Sequence, residues 1–156
     1  MFNTIEISFS ALSKILIYQQ KYINLPESGG ILIGRVLEQS NNVIVDIVTE
    51  PCTFDRQKRF SFFRSNAHQN TLNEMWKKSN GTLNYLGEWH THPEKDPTPS
   101  NIDFSNWYKK LKAKNIESTH LYFIIIGTEQ IGVWQGNTTK LTIQKMLLYG
   151  KKQTTE

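Results

Sequence analysis

Gly87-Glu88-Trp89-His90-Thr91-His92-Pro93-Glu94-Lys95-Asp96-Pro97-Thr98-Pro99-Ser100-Asn101-Ile102-Asp103 is the stretch on which the reading of this chain turns. Its upstream flank, Leu83 to Trp89, has the apolar and aromatic content of a β-strand. Its downstream flank reads as a helix from Ser100 to about Lys114. Between them Pro93, Pro97 and Pro99 stiffen a loop that cannot easily become helical. If the chain stays extended through Trp89–His92, His90 and His92 point to one face, because strand side chains repeat every two residues. The loop is long enough for Asp103 to return to the same end of the sheet.

Working outward, residues 5–9 read as a short strand. Ser10 follows as a helix N-cap before an apolar pattern at Leu12, Ile15, Leu16 and Tyr22. Pro26 and Gly29–Gly30 punctuate before a second strand, Ile31 to Leu37. Asn41–Asn42 signals a turn into a third, Val43 to Val48, so these two are expected to form a hairpin. Residues 51–65 show no clear period and are expected to be a loop. A helix is predicted over Asn66–Lys78, with Ala67, Leu72, Met75 and Trp76 facing inward. Strands are expected at His120–Ile126 and Gln130–Trp134, and a strand or helix at Leu141–Leu148. Helices interspersed with strands predict an α/β fold, a mixed β-sheet flanked by helices. The expected organisation is one domain over residues 1–150 and a frayed tail over 151–156.

Composition narrows the function classes. A chain of 156 residues accommodates one well-packed domain, burying roughly 68–70% of its unfolded surface. Its 38% hydrophobic and 21% charged content is that of a globular protein, not a disordered one. The longest apolar run, Leu121 to Ile126, is far short of the ~20 residues of a membrane helix. No signal-peptide pattern is read at the N-terminus, so a cytoplasmic protein without a membrane partner is expected. The net charge of +4 is spread evenly, which argues against nucleic acid as a partner. The lysines at 109, 110, 112 and 114 read as a solvated helix end. The run Arg56–Lys58–Arg59–Arg64, interleaved with Phe60, Phe62 and Phe63, leaves room for a partner surface. Cys52 is the only cysteine, so any metal must be held mainly by histidine and carboxylate.

His90, His92 and Asp103 meet that condition. Two imidazoles and one carboxylate leave a fourth tetrahedral position open, the composition of a catalytic zinc site. Zinc there lowers the pKa of its water to about 7 and polarises a carbonyl, while a carboxylate base moves the proton. Ser100 is placed to hydrogen-bond an oxyanion. Simpler readings stand beside this one. Ser100-x-x-Asp103 is also a helix-capping pair, a role compatible with catalysis. His-x-His alone also describes surface histidines on an edge strand, but the joint pattern specifies five residues in fourteen. His68 and His120 lack partner spacing and read as structural. Cys52, with no base nearby in sequence, does not read as a nucleophile.

His90-Thr91-His92-Pro93, six residues, then Ser100-Asn101-Ile102-Asp103 resembles the motif of the JAB/MPN zinc metalloproteases, the JAMM enzymes. Their upstream glutamate falls here on Glu27, in Pro26-Glu27-Ser28-Gly29-Gly30-Ile31-Leu32-Ile33-Gly34. The resemblance implies a cytidine-deaminase-like sandwich and one Zn2+ per chain, bound by His90, His92 and Asp103. It also implies Glu27 as general acid/base and Ser100 as stabiliser of the tetrahedral intermediate. The wording around the motif is similar to bacterial deconjugating proteases of type II CBASS antiphage operons. The implied substrate is a protein with an extended C-terminal tail, a ubiquitin-like or nucleotidyltransferase (CD-NTase) conjugate, cut at the amide bond after that C-terminus. Alternatives are an inactive MPN-type scaffold, or a JAMM peptidase processing another ubiquitin-like or sulfur-carrier protein. Glu88 shares the parity of His90 and His92, so it competes with Glu27 for the metal-facing role. Its expected part is instead to orient an imidazole N–H or to be solvated.

Overall fold

The computed structural model describes residues 4–148; the expected tail, 151–156, lies outside them. Strand β1 (Ile5–Ile7) runs directly into helix α1 (Phe9–Leu16). Ser8 makes that junction: its N–H extends the β ladder to the Val45 carbonyl, and its hydroxyl accepts the Ala11 N–H. The helix is therefore capped by Ser8 rather than Ser10, which sits within its first turn, and the strand ends at residue 7. Ala11 and Ile15 are its buried residues, whereas Leu16 and Tyr22 face water.

β2 (Gly29–Val36) and β3 (Val43–Val48) form the expected antiparallel hairpin. The stretch expected to be a loop contains a second, smaller hairpin, β4 (Arg56–Lys58) and β5 (Ser61–Phe63). Its residues are mostly exposed, so no buried face imposes an apolar alternation on the sequence. Helix α2 (Ala67–Lys78) keeps its expected bounds, but its buried residue is His68. Trp76 is half exposed and lies over the turn at Gly81 instead of facing the core.

Strand β6 (Asn84–Thr91), helix α3 (Asn101–Leu111) and strands β7 (His120–Ile126), β8 (Ile131–Asn137) and β9 (Thr142–Lys145) complete the order. The main sheet has seven strands, β1-β3-β2-β6-β7-β8-β9, with β6 parallel to β7 and β1 parallel to β3. This is the expected mixed sheet with helices packed on it.

β7 is buried on both faces, and its alternation shows the two layers. Tyr122, Ile124 and Ile126 join Ala11 and Ile15 of α1 in one core. Leu121, Phe123 and Ile125 join Trp107 and Leu111 of α3 in the other. Trp107 stacks on Phe123 with centroids 4.6 Å apart and planes 12° off parallel.

β6 carries an irregularity. Leu32 pairs with Gly87 and Ile33 with Tyr85, which leaves Leu86 as the extra residue of a bulge. Leu86 and Trp89, an odd number of residues apart, consequently pack in the same core. Gly87 has φ +144°, and a Cβ there would collide with the Tyr122 carbonyl oxygen. Beyond the bulge, Trp89 and Thr91 face the α1 side, while Glu88, His90 and His92 face the α3 side.

Candidate metal centre and active site

The end of β6, the start of α3 and the entry to β2 meet at a cavity of about 410 Å³. Glu27, His90, His92, Ser100 and Asp103 all line it. The Nε2 atoms of His90 and His92 lie 3.0 Å apart. Asp103 meets both, Oδ1 at 3.3 Å from His90 Nε2 and Oδ2 at 3.2 Å from His92 Nε2. Two imidazole nitrogens and a carboxylate thus converge on one point, and the N2O donor set is one that Zn2+ takes in open sites. Glu27 completes the cluster: its carboxylate and the two imidazoles offer ligand atoms all within 4.8 Å of one another.

The structure shows the capping role of Ser100-x-x-Asp103, with both residues lining the cavity. Ser100 Oγ accepts the Asp103 N–H at 3.0 Å, and Asp103 Oδ2 accepts the Ser100 N–H at 2.8 Å, a complete capping box. The cap fixes the Asp103 rotamer at the cavity. Ser100 uses its oxygen as acceptor, which leaves its hydroxyl hydrogen to donate.

Several orienting residues carry no sequence signal of their own. Glu94 Oε1 lies 2.9 Å from His92 Nδ1, so the Nδ1–H donates to Glu94 and the Nε2 lone pair turns toward the cavity. Thr91 Oγ1 accepts the Ser28 N–H and donates to Gln20 Oε1, and the Thr91 N–H donates to the Ser28 carbonyl. The Glu27 N–H donates to the Lys58 carbonyl at 2.7 Å, while Gln57 Nε2 donates to the Glu27 carbonyl. Glu27 is therefore clamped between β6 and the small hairpin. Gly29 and Gly30 make this approach possible, since a Cβ at either would collide with the carbonyl of Trp89 or Thr49. Glu94, Thr91, Gln20 and Gln57 are ordinary polar residues in the sequence; only their folded partners reveal them.

Glu88 shares the histidines' face as its parity requires, but it orients no imidazole and is not solvated. Its side chain is 5% exposed and pairs with Arg64 at 3.2 Å and Lys110 at 3.7 Å, and it accepts from the Tyr85 hydroxyl. Arg64 also donates to the carbonyls of Gly30 and Trp89.

The local electrostatics separate the carboxyls. Burial, reinforced by Asp103 and Glu94 and opposed by His92, pushes Glu27 up to about 7. Asp103 is also desolvated, but its hydrogen bonds to His90 and His92 outweigh this and hold it well below the usual range. Burial lowers His90. His92 is lowered by burial too, yet hydrogen bonds to Asp103 and Glu94 and the neighbouring carboxylate charges raise it overall.

Residues 10–141 match the family described as prokaryotic homologs of the JAB domain. The chain belongs to that family. It is 32% identical over 92% of its length to a protein from Escherichia coli (strain TW11681) named CD-NTase/cGAS isopeptidase, covering 88% of that protein. A protein of the same name from Vibrio cholerae is 31% identical over 87% of this chain and 84% of its own. A third, from Pseudomonas aeruginosa, is 36% identical over 65% of this chain and 63% of its own. A protein from Desulfitobacterium hafniense, known in solution, shares the fold with a TM-score of 0.62 at 18% identity, over 92% of this chain and 90% of that one. No helix among the described residues is long and apolar enough to cross a membrane.

Proposed function

We propose that this JAB-family chain is a zinc-dependent isopeptidase of CBASS antiphage defence, acting in the cytoplasm. Its substrate is a protein whose C-terminal tail is joined through an amide to a target, a CD-NTase conjugate like those in its relatives' names. The observation that carries the reading is one separate buried carboxyl, Glu27, set against a His90–His92–Asp103 centre.

His90, His92 and Asp103 would hold the zinc. Bound zinc supplies Lewis acidity toward a carbonyl oxygen and toward water. Glu27 takes the proton of the attacking water and returns it to the leaving amine. Its carboxyl, lining the cavity beside both imidazoles, is placed for both steps. Ser100 donates its hydroxyl hydrogen to the developing oxyanion. Asp103, ionised and aimed at the same point by its capping box, would offer the third ligand. Glu94 keeps the His92 proton on Nδ1.

The tail enters along β5, whose residues Ser61, Phe62 and Phe63 line the cavity and pair with β4 alone among the described strands. An extended tail pairs there through backbone hydrogen bonds, with Phe60 and Ile102 exposed at the cavity for apolar side chains.

The test is cleavage of a purified CD-NTase-tail conjugate by the zinc-loaded chain. Cleavage is expected at the amide after the tail's C-terminus, and it is abolished in Glu27→Gln, which keeps its metal. An intact conjugate with stoichiometric zinc bound would overturn the reading.

A further inference from the structure

Away from the cavity's metal centre, the foot of the β4–β5 hairpin gathers a second set of ligand atoms. The Cys52 sulfur, an Asp55 carboxylate oxygen and a His68 ring nitrogen all lie within 4.8 Å of one another. Asp55 and His68 side chains are 0% and 4% exposed. Cys52, which has no base close by in sequence, has one in space. We propose that Cys52 Sγ, Asp55 Oδ2 and His68 Nε2 form a second, structural zinc site that staples the hairpin to the body of the fold. The proposal is independent of the catalytic reading.

The surrounding hydrogen bonds are those a ligand set requires. Asp55 Oδ1 accepts the Ser65 N–H at 2.7 Å, and Oδ2 accepts the Cys52 N–H at 2.9 Å. The Ser65 N–H, the His68 ring and the Cys52 N–H together hold the carboxylate well below its ordinary range despite burial, so it is ionised and aimed. His68 Nε2 faces Asp55 Oδ2 at 2.7 Å, and its other nitrogen, Nδ1, meets Thr49 Oγ1. Thr49 Oγ1 also accepts the Ile31 N–H. A threonine oxygen fixing the far nitrogen is the outer partner that metal-ligating histidines generally have. Ser65 Oγ, 3.3 Å from Cys52 Sγ, stands where a fourth ligand or its water would be.

The protons balance. Without metal, Nε2–H donates to Asp55 and Nδ1 accepts from Thr49. When zinc binds, the thiol proton leaves to bulk water and the imidazole stays neutral, its hydrogen moving to Nδ1. Thr49 Oγ1 then accepts that hydrogen with its second lone pair and turns its own away. Sulfur, nitrogen and oxygen together suit Zn2+, whose borderline softness accepts all three.

The location supplies the purpose. A two-stranded sheet of three residues a side is marginal by itself in water. This one also holds Glu27 through Lys58 and Gln57. Joining Cys52 and Asp55 before β4 to His68 after β5 closes the loop that carries it.

Co2+ substitution of the whole metal-free chain tests this directly. Because Cys52 is the only cysteine, a near-ultraviolet sulfur-to-cobalt charge-transfer band reports this site alone. The expected result is about two Co2+ per chain with the thiolate band present. His90→Ala/His92→Ala should keep the band and bind about one ion fewer, and Cys52→Ser should lose the band but keep one ion. Saturation at about one ion without the band overturns the proposal, as does a band that survives in His68→Gln. The wild-type spectrum decides even if a variant fails to fold, and a missing thiolate band leaves the catalytic reading intact.

Discussion

In the metal-free protein, replacing Glu27 by glutamine should raise stability at alkaline pH and leave it nearly unchanged at acid pH. The carboxyl's ordinary value of 4.5 rises to about 7 in the folded chain, chiefly through burial. A group raised on folding contributes fully below its unfolded pKa, and that contribution is lost as pH rises through the folded value. The window is therefore pH 4.5 to about 7. Such a shift corresponds to about 3 kcal/mol, which we discount to about 2 because water reaches the carboxyl through the cleft. For a chain of this size that is a shift in Tm of about 4–8 °C. Glutamine has the shape of the neutral acid and cannot ionise. Differential scanning calorimetry of wild type and Glu27→Gln, both in chelator, at pH 5 and pH 8 reads the effect. The variant's Tm advantage should grow by that amount between the two pH values. His92 and Glu27 each favour the other's charged form, so the difference between the two proteins reports Glu27 together with its coupling to His92. Adding zinc places positive charge beside the carboxylate, so the pH-dependent gap should close. An advantage that is the same at both pH values, or reversed at pH 8, would refute the burial argument.

Other outcomes follow from the same geometry. Glu94→Ala removes the acceptor of the His92 Nδ1–H, and zinc affinity should fall about 10–100-fold by competition with a chromophoric chelator. Glu88→Gln breaks a nearly buried pair with Arg64 and should cost about 3 kcal/mol in denaturant titration. Substantial cleavage should remain, and a dead but folded, zinc-loaded Glu88→Gln would instead make Glu88 the base. Trp107→Ala empties the centre of the α3 core and should cost about 3–5 kcal/mol of unfolding free energy.

Much of this site is legible in the sequence because it is local. His90 and His92 share a face through strand parity, and the Ser100–Asp103 pair declares a helix start whether or not it also serves chemistry. β7 and the β2–β3 hairpin are legible for a similar reason, since burial writes an apolar pattern into them. The β4–β5 hairpin is silent because its strands are mostly exposed and its order comes from Asp55, His68 and Arg64, partners distributed along the chain. Trp76 misleads: its size suggests a core residue, but it covers a turn. Ser8 and Ser10 are both good caps by composition. Only the ladder bond from Ser8 to Val45 decides which one ends the strand. Gln20, Gln57 and Glu94 are polar groups whose partners lie on other elements or depend on loop shape, so no spacing rule exposes them.

The extra residue at Leu86 divides β6 into two halves of opposite phase. Upstream, the strand answers to its neighbours' packing; downstream, it answers to chemistry. Because the phase is reset at Gly87, mutations that slide the first half need not disturb the second. Deleting Leu86 restores a regular ladder, and the two halves can no longer both keep their present sides. If the packing half prevails, the imidazoles turn into the apolar α1 layer and Trp89 is presented to the cavity. One residue thus works as a hinge in register space, separating what the sheet needs from what the site needs.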